Sequence, residues 1–252
     1  MTVLGLGEAG GRIAGDLASL GVEVHGYDPV VRSAADGVVV APDLVAAVAN
    51  STVVLALTSA STAVEAAKAA LPGLGNDALY ADLNTGSPAL KRELGALAAH
   101  RGVAFADVAL LGPVPARGLG TPALASGDGA KAFADAFLSL GMPVEVVSER
   151  AGDAATRKLL RSVFMKGLAA ATLESLRAAE AAGQAAWLEG EIADVIGAPL
   201  RERLVEGSGR HAVRRVEEME AARDLLLELG VEPRVVSAST SVLAELAAEE
   251  ER

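Results

Sequence analysis

The first residues in the chain able to do chemistry are Gly5-Leu6-Gly7-Glu8-Ala9-Gly10, between the apolar run Met1-Thr2-Val3-Leu4 and an amphipathic pattern from Gly11 to Leu20. Strand, tight turn and helix in that order make a phosphate cradle. Gly5 permits the turn, Gly7 lets the backbone approach a pyrophosphate, and Gly10 lets helix and strand pack closely. The helix start points free N–H groups and a positive dipole end at the phosphates. A lone G-x-G-x-x-G can be an ordinary turn, but here the flanks on both sides suit a dinucleotide. Val22 to Tyr27 reads as the second strand and ends at Asp28. A carboxylate there accepts hydrogen bonds from an adenosine ribose diol and repels a 2′-phosphate, which favours NAD. Arg32, one helical turn beyond, can meet such a phosphate, so NADP stays open.

The elements that must hold this turn follow in order. Strands are expected at Val38–Val40, Thr52–Leu57, Ala78–Asp82, Val103–Asp107, Pro122–Ser126 and Pro143–Val147. Helices are expected at Pro42–Asn50, Ser61–Leu71, Ser87–His100 and Ala130–Leu140, with a Gly- and Pro-rich loop over Gly112–Gly120. This alternation predicts an α/β fold, a Rossmann-type doubly wound parallel sheet over residues 1–150. Past Gly152 no strand pattern remains. Helices are expected at Asp153–Ala182, Ala185–Ile196, Pro199–Glu206, Arg210–Leu229 and Ala238–Glu249, giving a smaller all-α domain over 151–252. Trp187 is expected to be a packing anchor there.

Composition bounds the function. Apolar residues make up 51% of the 252, aromatics only 3%, so the core must be Ala, Val and Leu. A net charge of −11 argues against nucleic acid and anionic membrane as partners. With no Cys and three scattered His, thiolate chemistry and a zinc site are not expected. The chain opens directly on a strand, and no apolar run reaches membrane-spanning length, so a cytoplasmic protein is expected. An Ala-rich helical half this small gains from burial against a twin, which predicts a homodimer through the helical domain.

These features resemble the β-hydroxyacid dehydrogenases, which include 3-hydroxyisobutyrate and 6-phosphogluconate dehydrogenase. The family opening G-L-G-x-M-G is matched by Gly5-Leu6-Gly7-Glu8-Ala9-Gly10. The loop after the fourth strand, beside the nicotinamide in the family, is Leu57-Thr58-Ser59-Ala60-Ser61-Thr62. The family D-x-S-T-x-S-P is Asp82-Leu83-Asn84-Thr85-Gly86-Ser87-Pro88, and its G-x-x-x-x-x-K is Gly152 to Lys158. The second half is similar to a shorter branch with a compact helical domain, through Lys166-Gly167 and Arg210–Met219. The resemblance implies NAD (or NADP) at Gly5 to Gly10, Asp28, Leu57, Thr58, Thr62, Asn84 and Thr85. It also implies an NAD(P)-dependent oxidoreductase with Lys158 as general acid/base. The substrate would lie between the domains, lined by Ser162, Lys166, Leu111 and Gly112.

The departures fall on the substrate side. The family loop D-x-P-V-S-G-G is Asp107-Val108-Ala109-Leu110-Leu111-Gly112-Pro113 here. Leu111 offers no side-chain hydrogen bond and Pro113 no backbone donor. The family Asn one turn after the Lys is Ser162, and a later Lys aligns loosely with Glu217. Lys158 has Arg157 and Arg161 beside it and Lys166 two turns on; desolvation and these cations favour release of its proton. Ser162 shares nearly the same helix face and can orient Lys158 or a substrate oxygen. These residues also read as a basic, solvated helix face. His211, Arg214 and Arg215 either reach the cleft of a partner subunit or lie on a solvated or salt-bridged face with Glu217 and Glu218, and Asp107 is expected at a strand end in a structural role. Three functions stay open: oxidation and reduction of a small hydroxy acid or related alcohol, reduction of a C=N bond, and dinucleotide binding without turnover.

Overall fold

The computed structural model describes residues 1–209 and 212–250. The chain divides into two compact units, Met1–Lys158 and Leu159–Arg252. The start of the long helix thus groups with the sheet.

The first unit holds eight strands: β1 (Thr2–Leu4), β2 (Val24–Tyr27), β3 (Val38–Val40), β4 (Val53–Ala56), β5 (Leu79–Asp82), β6 (Ala104–Leu110), β7 (Ala123–Ser126) and β8 (Val144–Ser148). Six helices lie between them: α1 (Glu8–Ser19), α2 (Leu44–Val48), α3 (Ala63–Ala70), α4 (Pro88–His100), α5 (Val114–Arg117) and α6 (Ala130–Leu138). The sheet order is β3-β2-β1-β4-β5-β6-β7-β8. Its central strands are continuous apolar runs because both faces are covered. Neighbouring residues face opposite layers: Val3 and Leu55 pack with Ile13 and Leu17 of α1 and Phe133 of α6, whereas Leu4 and Val54 pack with Ala63, Ala67 and Leu94 of α3 and α4. Ser87 caps α4 by accepting from the Leu90 N–H, with Pro88 in the first turn.

Three expectations fail in this unit. The sheet is not wholly parallel: β6 pairs antiparallel with β7, from Asp107 opposite Ser126 to Leu110 opposite Ala123. Twelve residues separate β6 from β7, about the minimum for a parallel crossover, and they fold instead into α5 and a single 3₁₀ turn. That segment is therefore not plain loop. It docks on α1, where the Leu119 N–H donates to Asp16 (3.0 Å) and Arg12 donates to the Pro115 carbonyl (3.2 Å). The longer β6 also places Asp107 in mid-strand, fully buried, and not at a strand end.

The long helix α7 (Asp153–Ala181) stops short of Gly183, whose φ of 69° an L side chain resists. The second unit continues with α8 (Ala185–Ile196), α9 (Ala198–Gly209), α10 (Ala212–Glu228) and α11 (Arg234–Glu250), and α11 starts a turn earlier than its sequence pattern suggests. Its core is small: Met219, Leu226, Val236 and Leu243 form one buried cluster, and Leu159, Ala222 and Leu225 another. No residue of α8 is buried. Trp187, expected as a packing anchor, is 63% exposed, on a helix whose residues are at most partly covered. Among the described residues no helix is long and apolar enough to cross a membrane.

The closest backbone approach in the sheet lies at Gly5, where φ is 91° and an added Cβ would overlap the Leu57 carbonyl oxygen. Gly5→Ala is expected to cost at least about 2 kcal/mol from strain and clash together, measured by denaturant unfolding.

Candidate active site

The glycine turn leaves β1 at Gly5, whose N–H donates to the Tyr27 carbonyl at 2.8 Å. A Cβ on Gly10 would overlap the Gly5 carbonyl oxygen, so α1 sits against the strand as only Gly allows. Gly7 is different. It is the N-cap of α1, no side chain caps the helix there, and a Cβ added to it would meet nothing within 4 Å. A helix start with uncapped N–H groups facing open space fits a pyrophosphate. Leu6 is buried in the core, Ala9 packs against it, and Glu8 is exposed beside the opening.

Asp28 follows β2 and is partly buried. One of its oxygens accepts from the Leu6 N–H (2.8 Å) and the other from the N–H groups of Val30 (2.8 Å) and Val31 (2.9 Å). Burial pushes its pKa up, but these three donors and the nearby Arg32 charge outweigh it, and the net shift is downward. The carboxylate thus binds the glycine turn to β2 and stays ionised.

A line of contacts runs from this turn along the carboxyl ends of the strands. The Leu57 N–H donates to the Leu4 carbonyl at 2.7 Å, which brings the end of β4 against the turn. Thr58 follows, and its Oγ1 accepts from Asn84 Nδ2 at 3.4 Å. Thr85 is the next residue after Asn84, and its Oγ1 accepts from Lys158 Nζ at 2.7 Å. Gly5, Leu57, Thr58, Asn84, Thr85 and Lys158 thereby form one partly exposed edge of the first unit. Thr62 is turned to its own exposed loop, with its hydroxyl 2.8 Å from Ser59 Oγ.

Beneath this edge lies a charged cluster that sequence reasoning missed. Lys91 of α4 is 1% exposed, while Asp82 and Asp107 are 0% exposed. Lys91 Nζ donates to the Asp82 carboxylate, to the backbone carbonyls of Asp82 (3.0 Å) and Asn84 (2.8 Å), and lies 3.3 Å from Asp107 Oδ1. Burial opposes the Lys91 charge, but the two carboxylates outweigh it and hold its pKa above the ordinary lysine value. Burial pushes the Asp82 carboxyl up against the pull of Lys91. The second Asp107 oxygen accepts from Ser126 Oγ (3.0 Å) and from the N–H groups of Gly152 (3.1 Å) and Ala155 (3.0 Å). Ser126 Oγ in turn accepts from the Ala154 N–H (2.9 Å). A buried carboxylate from another strand therefore caps α7 and complements its dipole. In the sequence Lys91 belongs to a Lys-Arg-Glu run; its spacing with Pro88, Leu94 and Ala98, all buried, is the signal that marks it as inward.

The remaining candidates have other partners. Leu111 packs with Ala109, Leu124 and Ala154, and its N–H closes the β6–β7 connection on the Pro122 carbonyl (2.8 Å). Gly112 follows it, partly exposed. In the second unit Ser162, 2% exposed, hydrogen-bonds to Glu218 of α10. Lys166 donates to Glu218 (2.9 Å) and to Ser162 (3.2 Å), so it is a partly buried ion pair and not a solvated surface Lys. Glu218 thus joins α10 to α7. His211 lies outside the described residues.

A doubly wound sheet with an open, uncapped helix start at its first turn and an ionised carboxylate after its second strand defines a dinucleotide-binding oxidoreductase domain. The chain belongs to the family described as the NAD binding domain of 6-phosphogluconate dehydrogenase, whose model matches residues 1–144. Residues 179–246 match a domain of unknown function, DUF1932. An uncharacterized 28.5 kDa protein of Methanothermus fervidus is 26% identical over 213 residues, spanning 82% of this chain and 80% of its own length. A conserved hypothetical protein from Sinorhizobium meliloti is 27% identical with a TM-score of 0.78, over 96% of this chain and 86% of its own. The 3-hydroxyisobutyrate dehydrogenase of Mycobacterium tuberculosis has the same fold, with a TM-score of 0.84 at 20% identity over 98% of this chain and 93% of its own. The protein is an NAD(P)-dependent oxidoreductase of the β-hydroxyacid dehydrogenase-like type.

The open space at Gly7 separates binding from folding. Gly7→Val is expected to change stability by no more than about 1 kcal/mol. It should weaken NADH binding at least about tenfold, read by fluorescence titration.

Proposed function

We propose that this protein interconverts a small hydroxy acid or related alcohol with its carbonyl, with Lys158 as the general acid/base. The observation that carries this is the contact of Lys158 with Thr85, at the end of the line of residues leading from the glycine turn. Bound NAD(P) supplies or accepts the hydride at its nicotinamide. Lys158 exchanges the proton of the substrate oxygen, and the Thr85 hydroxyl holds the ammonium on the edge where ligands of open α/β sheets bind. The ionised Asp28, with Leu6 bound to it, supports NAD over NADP, since a 2′-phosphate would meet a fixed negative charge. Gly5 to Gly10, Leu57, Thr58 and Asn84 complete the proposed cofactor side. Ser162 and Lys166 remain proposed substrate residues that reach their task through the pair with Glu218.

A second reading is reduction of a C=N bond. The packing of Leu111 in an apolar cluster and the missing donor at Pro113 support it, because nothing in that segment is built to hold a substrate carboxylate. We also infer that two copies associate through the helical unit. α8 has no buried residue, and Trp187 and Val195 are 63% and 82% exposed. Phe164 of α7, 68% exposed, lines an apolar groove with Leu160, Leu229, Val231 and Val235. Apolar surface on this scale is characteristic of an interface.

Turnover of a panel of hydroxy acids, alcohols and imines, read by absorbance of reduced nicotinamide, tests the chemistry. Lys158→Met is expected to lower kcat/KM by about a hundredfold or more while NADH affinity stays within about twofold. Unchanged turnover would remove Lys158 from the mechanism, and tight NADH binding without turnover on any substrate would favour a non-catalytic dinucleotide binder. Sedimentation equilibrium at micromolar protein is expected to give a dimer, and Trp187→Glu with Val195→Glu is expected to shift it toward monomer.

A further inference from the structure

We propose that Lys91 is a positioning residue for Lys158: it holds, from below, both partners of the Lys158–Thr85 contact. The inference rests on the assignment of Lys158 to proton transfer. One side of Lys91 ties the chain entering Thr85. Its ammonium binds the backbone carbonyls of Asp82 and Asn84, the residues at the end of β5 and immediately before Thr85. The other side ties the helix carrying Lys158. Lys91 lies 3.3 Å from Asp107 Oδ1, and Asp107 Oδ2 accepts the N–H groups of Gly152 and Ala155 at the start of α7. Lys158 follows in the second turn of that helix. Thr85 and Lys158, 73 residues apart in sequence, are thus referred to one buried nitrogen.

Stability alone is a poor account of this arrangement. Each buried ion loses several kcal/mol of hydration, and well-packed apolar residues of similar volume commonly replace such clusters at no loss. Two carboxyl groups share one ammonium here, so the cluster is more than a simple ion pair. What apolar side chains cannot supply is a fixed direction for four oxygens on two separate segments. Asn84 adds to the same lock, with its side-chain amide bridging the Asp82 carboxylate and Thr58.

The test reads the local environment of Lys158 without a substrate. Competitive labelling with acetic anhydride, quantified at Lys158 by peptide mass spectrometry, is compared for the intact wild-type protein, Lys91→Met and the charge-compensated Lys91→Met/Asp82→Asn. Thr85→Val, which removes the hydroxyl acceptor, sets the labelling of a Lys158 that lacks this one contact. Both Lys91 variants are expected to label at Lys158 about fivefold faster than wild type, the effect of one net hydrogen bond, and to approach Thr85→Val. Wild-type labelling in the folded double variant would overturn the proposal, since Lys91 would then only balance charge. Failure of both variants to fold would also overturn it, by assigning Lys91 to the core alone. NADH titration of the same samples keeps the two questions apart: no binding by wild type would reject the redox assignment, while the labelling comparison would still decide the positioning.

Discussion

Asp107 is the residue on which the two ends of the site depend. It has no exposed surface, yet it is polar, and it stands in mid-strand where an apolar residue would ordinarily pack. One oxygen faces a cation from α4 and the other faces the first amides of α7. Its Oδ2 is answered by the Ser126 hydroxyl and the first amides of α7, whereas Oδ1 is buried with only the Lys91 ammonium, at 3.3 Å, facing it. Because those partners come from β7, α4 and the chain leading into α7, the geometry of the edge above is fixed by the requirement that this one group be satisfied.

Much of the fold was legible because its signals are local. The glycine turn shows itself by spacing and by the strand and helix patterns on each side, and the central strands show themselves as short apolar runs. The identity of β6 as the strand where direction reverses was not legible. A connection of this length suits either a short crossover or a return, and only the docking of Pro115 and Leu119 against α1 settles it. Lys91 was hidden for a different reason. Beside Arg92 and Glu93 it looks like part of a solvated face, and its burial follows from a carboxylate that is distant in sequence. The candidate site divides in the same manner: the residues at strand ends fall together, whereas Ser162 and Lys166 are committed to a Glu218 that no local pattern connects to them.

The two units are built on different terms. The first has apolar layers on both faces of its sheet and encloses ions at its centre. The second carries two small buried clusters, a short polar stitch between α7 and α10, and a helix with no buried residue. A helical unit with so little interior leaves surface that an isolated chain does not cover.

The single tryptophan of the chain sits on the helix with no buried residue. Its intrinsic emission therefore reports on one helix of the helical unit. Solvent contact gives a red-shifted spectrum, and any covering of this side chain would turn it blue. One wavelength thus reads whether this helix is wet or dry.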